Sequence, residues 1–289
     1  MNFQSSYPTI PGTGKLKVLK SPATSSRLAY TSYVQIGRLP NTRVILIHGF
    51  TQNGATFGPI ASELALRQPF EVICVDLPGH GESCSVDAGL DETADLLLPF
   101  GMDSIWAAYS LGARHLLTLC LKHSDFSWKA IFSGVNPGIE DAGERLERYQ
   151  ADMALASELK NLEGDHDRFK EFLSRWMSLA LFQPRKPTRE DLENRLTNSP
   201  RALARSLENS SVGVQANLWP RIPELRGYFT LITGGADTRY LGIARRFESL
   251  LKSHDKAVVR SEIIDSLGHG AIIDRPPALI QAVIDSSKV

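Results

Sequence analysis

The stretch Ile105-Trp106-Ala107-Ala108-Tyr109-Ser110-Leu111-Gly112-Ala113-Arg114 decides the fold. Ile105 to Ala108 form an apolar lead-in of the kind that makes a short buried strand, and Leu111 to Lys122 read as a helical run. Ser110 lies at the junction. A sharp strand-to-helix turn pushes one hydroxyl into the open, and the crowding of that turn demands small residues two positions before and two after the serine. Ala108 and Gly112 meet the demand, with Ala108 a mild departure from the usual G-x-S-x-G pattern. So short a match also fits an ordinary strand–helix junction, so the surrounding chain has to carry the reading.

Upstream, Arg43-Val44-Ile45-Leu46-Ile47 is a continuous apolar run suited to a strand buried on both faces of a parallel sheet, and it ends in His48-Gly49-Phe50-Thr51. A helix over Pro59 to Arg67 follows. Glu71 to Val75 gives a second buried strand, ending in Asp76-Leu77-Pro78-Gly79-His80-Gly81-Glu82-Ser83. A helix from Asp91 to Leu98 leads to the serine turn. Ahead of all this, in a segment holding Pro8, Pro11 and Pro22, Lys15–Lys20 and Leu28–Ile36 suit an antiparallel edge pair. Downstream, Ala130–Val135 is another strand. From Asn136 to about Pro223 strand signals vanish, and amphipathic helices are expected near 140–162, 166–181, 188–197 and 201–210, separated by Gly164, Pro184, Pro187 and Pro200. Strands at Phe229–Thr233 and Val258–Ile264 then alternate with helices at Leu241–Lys252 and Pro277–Asp285. Such alternation predicts an α/β fold, a mostly parallel doubly wound sheet. The core is residues 1–135 and 224–289, and 136–223 is a helical cap insertion. Ligands in such sheets sit beyond the strands' carboxyl ends.

A formal net charge of zero argues against nucleic acid or an anionic membrane as a bulk partner. Of three cysteines, Cys74 and Cys120 fall in core-like runs and Cys84 in a loop, and an odd count argues against a disulfide framework. No signal-like segment opens the chain and no run is long enough to span a bilayer, so a cytoplasmic protein is expected. No metal-ligand spacing, phosphate loop or cofactor signature is found, so no metal and no cofactor are expected. The oligomeric state is not legible.

Ser110, Asp237 and His269 each follow the carboxyl end of a strand, in the order nucleophile, acid, histidine. A serine hydroxyl is nearly inert at neutral pH and needs an imidazole to take its proton, and the imidazole needs a carboxylate to fix its tautomer. Gly268 and Gly270 give His269 small neighbours. Asp237, after Gly234-Gly235, also suits a simple turn, and Asp265 and Asp274 are the alternative acids. An oxyanion hole needs two backbone N–H groups: Leu111, just after the serine, and Phe50, in the turn after the first central strand. His48 and His80 sit in glycine turns as structural or pocket-lining residues.

These motifs together are similar to the α/β-hydrolase superfamily over nearly the whole chain. Within it, the sequence resembles the menaquinone-pathway synthases that form 2-succinyl-6-hydroxy-2,4-cyclohexadiene-1-carboxylate. Four features carry this narrower likeness: Arg114 four residues after the serine; Asn136-Pro137-Gly138-Ile139 followed by Arg145 and Arg148; Arg175-Trp176 with Leu181-Phe182; and Arg195 with Leu203, Ser206-Leu207 and Gly213-Val214-Gln215. Ala108 and Ala113 stand where the family has glycines. The resemblance implies a lyase on a hydrolase scaffold, acting on a small carboxylate substrate. Arg114, Arg148 and Arg195 would clamp its carboxylates, Tyr109 and Trp176 would line the pocket, and the serine–histidine pair would serve as base. Arginine's planar fork suits bidentate carboxylate binding. On the residues alone each arginine also suits a solvated helix face, and Trp176 the core of the insertion. Two other readings stand beside this one: a serine hydrolase of small esters or C–C bonds using the same triad, and a noncatalytic binding protein on the same fold, against which an intact triad argues.

Overall fold

The computed structural model describes residues 15–184 and 186–289, so Pro8 and Pro11 lie outside the described residues. One eight-stranded sheet organises the chain: β1 (Leu16–Ser21), β2 (Tyr30–Gln35), β3 (Thr42–Ile47), β4 (Phe70–Val75), β5 (Ile105–Tyr109), β6 (Ser127–Ser133), β7 (Arg226–Gly234) and β8 (Ala257–Ile264). Their spatial order is β1-β2-β4-β3-β5-β6-β7-β8. β2 runs antiparallel to both β1 and β4, and every later pairing is parallel.

The apolar run of β3 is buried on both faces because the sheet is covered on both. Ile45 and Ile47 face one cluster, with Trp106, Leu116, Phe132 and Phe247; Val44 and Leu46 face the other, with Leu64, Ile131 and Leu279. The period-2 alternation of side chains in a strand produces this split. Helices α1 (Gly58–Arg67), α9 (Ala271–Asp274) and α10 (Pro276–Ser286) cover the second face, and α2 (Leu90–Leu97), α3 (Leu111–Lys122) and α8 (Thr238–Lys252) the first. From β3 the chain passes through α1 to β4 on one side, then returns through α2 to β5 on the other. The strand order therefore reverses at β3, and the crevice at the carboxyl ends of β3 and β5 is where such a sheet binds ligands.

Between β6 and β7 lie α4 (Ala142–Lys160), α5 (His166–Met177), α6 (Arg189–Arg195) and α7 (Pro200–Ser210). Each starts at a side-chain cap: Asp141, Asp165, Thr188 and Ser199 accept a hydrogen bond from a first-turn N–H. They share a small core of Leu159, Phe169, Phe172, Leu173 and Leu203, against which Phe50 and Trp176 pack. A single helix over 166–181 is not what forms. α5 ends at Met177, the chain turns extended at Leu179, and Ala180–Phe182 make a short 3₁₀ turn. The break frees the Leu181 carbonyl to accept the His269 N–H at 3.1 Å, so this turn anchors the histidine loop. No helix among the described residues is long and apolar enough to cross a membrane.

Candidate active site

Ser110 has φ 53° and ψ −109°, a left-handed backbone in a non-glycine residue, between β5 and α3. Crowding at the turn explains Gly112, whose Cβ would lie 2.6 Å from the His48 carbonyl. Ala108 is fully buried among the residues of the α3 face. Gly49 is equally constrained, since its Cβ would meet the Tyr109 ring at 2.8 Å.

The structure brings Ser110, His269 and Asp237 into one hydrogen-bonded line. His269 Nε2 is 2.9 Å from Ser110 Oγ, and Nδ1 is 2.9 Å from Asp237 Oδ2. Asp237 also caps α8, its Oδ1 accepting the Tyr240 N–H at 3.1 Å. It holds the place open to Asp265 and Asp274. α8 accordingly begins at Thr238, three residues before the apolar pattern suggested. The imidazole is nearly buried, with Tyr240 4.2 Å and Tyr109 5.3 Å away between ring centroids. Gly134 makes room for it: φ is +65°, and a Cβ there would lie 2.5 Å from His269 Cε1. A glycine one residue past a strand gives little signal in the sequence, and Gly134 was missed.

Among the described residues, neither the Phe50 nor the Leu111 amide donates to a protein acceptor. Both residues line a cavity together with Ser110, His269 and Tyr240. His48 braces the turn from below. Its Nδ1–H donates to the Gly49 carbonyl at 2.8 Å and Nε2 accepts from Leu77 N–H at 3.1 Å. Only the neutral ring can do both, and burial lowers its pKa to about 4. His80, buried beside it, is pushed well below the usual range for the same reason.

The same cavity is lined by Tyr109, Trp176, Arg114, Arg148 and Arg195. Arg114 is buried on α3 and its Nη1 donates to Gln215 Oε1 at 3.0 Å, a neutral partner. Burial lowers its pKa to about 10, so it stays charged at neutral pH. Gln215 is fixed in turn by its Nε2–H donation to the Asn136 carbonyl at 2.8 Å. The Asn-Pro-Gly turn and the Gly-x-Gln stretch thus meet behind one guanidinium. Arg148, half-buried, gives only its Nε to Asp152, at 2.9 Å to both carboxylate oxygens. Asp152 is buried and also accepts from Ser211. Arg195 is buried and bonds Asp191 at 3.0 Å, the Thr51 hydroxyl and, at 3.5 Å, the Phe50 carbonyl. Arg175 faces solvent and pairs with Glu158. Trp176 stands edge-on to Phe50 at 5.3 Å, and its indole N–H is buried without an acceptor among the described residues. Gln52, another lining residue the sequence did not flag, uses Oε1 on the Gly49 N–H and leaves Nε2 buried and unpaired among the described residues. Among the described residues no cluster of three or more His, Cys, Asp or Glu could hold a metal.

The arrangement can take a proton through Ser110 and His269, receive negative charge at two backbone amides, and hold anionic groups at fixed guanidinium heads. A 2-succinyl-6-hydroxy-2,4-cyclohexadiene-1-carboxylate synthase of Yersinia pseudotuberculosis serotype O:3 (strain YPIII) is 28% identical over 252 residues, 83% of this chain and 85% of its own. The structure of MenH from S. aureus superposes with a TM-score of 0.73 at 24% identity, over 90% of this chain and 97% of that one. A thermophilic esterase from Thermogutta terrifontis gives 0.68 at 16% identity, over 99% and 98%. These likenesses to solved structures share the α/β-hydrolase fold. Residues 44–282, most of the sheet and the helices between its strands, match the Alpha/beta hydrolase family, and the chain belongs to that family.

Proposed function

We propose that this chain is a lyase that eliminates pyruvate from 2-succinyl-5-enolpyruvyl-6-hydroxy-3-cyclohexene-1-carboxylate, giving 2-succinyl-6-hydroxy-2,4-cyclohexadiene-1-carboxylate for menaquinone or phylloquinone synthesis. The observation that carries the reading is Arg114, a buried cation one helical turn beyond Ser110 that faces a cavity, hydrogen-bonds a neutral glutamine, and has nearby only the Asp152 carboxylate, already taken by Arg148, among the described residues. A buried charge without a hydrogen-bonded counter-charge of its own is costly. A carboxylate substrate supplies the missing anion, and this substrate carries three. The synthases to which the sequence is similar support the same assignment.

The reaction moves one double bond and breaks one C–O bond. The Ser110–His269 pair takes the proton from ring carbon 2, which is acidified by the succinyl carbonyl beside it. Charge develops on that carbonyl oxygen, where the Phe50 and Leu111 amides receive it. The electron pair then forms the 2,3 double bond, the ring double bond moves from 3,4 to 4,5, and the C5–O bond breaks. The departing enolpyruvate takes up a proton and becomes pyruvate. Asp237 holds the histidine tautomer that accepts the proton. Arg114, Arg148 and Arg195 orient the carboxylates, while Tyr109 and Trp176 shape the wall. The helices of residues 136–223 act as a cap that closes the site from water, which an elimination does not consume.

A serine hydrolase of small esters or C–C bonds uses the same triad and finds support in the Ser110 backbone, which exposes the hydroxyl for attack. It leaves the buried Arg114 without a task. The test is pyruvate release from the enolpyruvyl substrate by purified protein, read with a coupled dehydrogenase. The substrate decays unaided, so controls are no enzyme and Ser110→Ala. Release well above both is expected; a rate equal to background would sink the lyase reading and leave the hydrolase to be tried on short esters.

A further inference from the structure

We infer that Asn198, on the segment following α6, is a positioning residue for the oxyanion hole, holding Thr51 in a backbone conformation it does not favour. The inference rests on reading the Phe50 amide as an oxyanion donor, but not on which substrate is turned over. Gly49 to Gln52 form a turn closed by the Gln52 N–H donating to the Gly49 carbonyl at 3.2 Å. Phe50 and Thr51 are its central residues. Thr51 has φ 66°, at the turn position where glycine or asparagine is usual. A β-branched residue in that region is strained and stays there only when its surroundings hold it. Thr51 is fully buried, so water does not satisfy its carbonyl.

Asn198 supplies the hold. Its Nδ2 donates to the Thr51 carbonyl at 2.9 Å and to the Arg195 carbonyl at 3.1 Å. Its Oδ1 accepts the Gly81 N–H at 2.8 Å. The amide orientation is not open to a flip, because the Gly81 N–H can only donate and the Thr51 carbonyl can only accept. One nine-tenths-buried side chain therefore ties three segments: the turn after β3, the glycine turn after β4, and the end of α6. Losing it lets Thr51 relax toward negative φ. The turn then changes shape, and with it the aim of the Phe50 amide. Arg195 also touches this turn, through the Thr51 hydroxyl and the Phe50 carbonyl. Because Arg195 is a proposed substrate clamp as well, Asn198 is the cleaner residue to change.

The experiment is a double-mutant cycle. Asn198→Ala is made in the wild-type background and in Thr51→Gly, since glycine adopts positive φ without being held. Two rates are read: kcat and KM for pyruvate release, and phosphonylation of Ser110 by a fluorophosphonate probe, followed by intact mass. The second needs the triad and the hole but no particular substrate, so failure of pyruvate release alone strikes the lyase reading and leaves the cycle intact. In the wild-type background Asn198→Ala should lower kcat and the phosphonylation rate about tenfold with KM nearly unchanged, a partial loss of one oxyanion donor. In the Thr51→Gly background the same change should cost less than about twofold. An equal loss in both backgrounds would overturn the inference, because Asn198 would then act as a general tie. A raised KM with unchanged kcat would overturn it too, as would a wild-type serine that the probe does not label. If Asn198→Ala fails to fold, Asn198→Asp keeps the acceptor for Gly81 and removes the donations to the Thr51 and Arg195 carbonyls, and the same cycle is read on it.

Discussion

Replacing Arg114 by methionine should separate the protein's stability from its activity. In the free protein the guanidinium is held in a place that resists charge. Its pKa falls from 12.5 to about 10 through burial, which corresponds to about 3 kcal/mol of unfavourable charging. Methionine of similar reach removes that penalty. It also strands Gln215 Oε1, which now receives the Arg114 donation at 3.0 Å, and an unpaired buried acceptor costs about 1–3 kcal/mol. The two terms nearly offset, so Arg114→Met should melt within about 3 °C of the parent. Turnover behaves otherwise. A fully desolvated contact between a guanidinium and a substrate carboxylate is worth about 2–5 kcal/mol when one partner is truncated, so kcat/KM for pyruvate release should fall by about 30-fold to about 5000-fold. The charge is lost only near pH 10, so the defect should be constant from pH 6 to pH 9. The assays are coupled pyruvate release over a substrate series and thermal melting of both proteins. A melting temperature lowered by 10 °C or more with kcat/KM within threefold would refute the reasoning: Arg114 would then be a strut between α3 and Gln215.

Three further outcomes follow from the same geometry. Asp237→Asn keeps the cap on α8 but presents an amide to His269 Nδ1, which favours the wrong tautomer; kcat should fall by about 10³–10⁴ with the melting temperature little changed. Gly134→Ala places a methyl 2.5 Å from His269 Cε1 at a φ of +65°, so the ring must move off Ser110, and single-turnover rates should drop at least about 100-fold. His48 is neutral when folded down to about pH 4, whereas in the unfolded chain it takes up a proton near pH 6.5. Its contribution to stability is therefore complete above pH 6.5 and is lost as pH falls from there to 4, about 3 kcal/mol in all. Denaturant midpoints measured across that window should fall with pH, and a flat profile would contradict the neutral-imidazole bracing of the turn.

The strand and helix order was legible because each element stated its burial in its own residues. Val44–Ile47 of β3 and Val72–Val75 of β4 are unbroken apolar runs because both faces of the sheet are covered, and α3 begins and ends where its periodic pattern does. Ser110 and His269 were legible for another reason: their neighbours, Gly112 and Gly268, are small where backbone comes close. What stayed hidden depends on contacts far apart in the chain. The end of α5 at Met177 has no breaker residue; it is set by the Leu181 carbonyl meeting a loop almost ninety positions on. Gly134 matters only because of a ring brought in from His269. Asn198 and Gln52 look like ordinary loop polar residues until their partners are seen. The arginine pattern could be read as clamps only through resemblance, since on α4, α6 or α3 alone a guanidinium reads as surface. The surroundings of the three differ: Arg114 lies against a neutral amide, Arg148 against the Asp152 carboxylate, and Arg195 against both the Asp191 carboxylate and the turn that carries Phe50.

Those surroundings bear on how a scaffold built for acyl transfer would run an elimination. The nucleophile and the base are the same atoms in either case, at 2.9 Å, so the triad does not choose between attacking a carbonyl carbon and removing a proton beside it. The choice lies in which atom of the ligand is placed over Ser110 Oγ. A neutral ester is positioned by shape and by the hole. On the proposed function a tricarboxylate would be positioned by its charges, and three guanidinium groups on three different helices would fix it with little freedom to slide. Two of those helices, α4 and α6, belong to the segment between β6 and β7, and Arg195 on α6 also bonds the turn that carries Phe50. Seating the carboxylates would therefore press on the turn that carries the proposed oxyanion donor. Binding energy taken from parts of the substrate that do not react would in this way be coupled to the place where charge develops, which is how such energy raises kcat rather than only lowering KM.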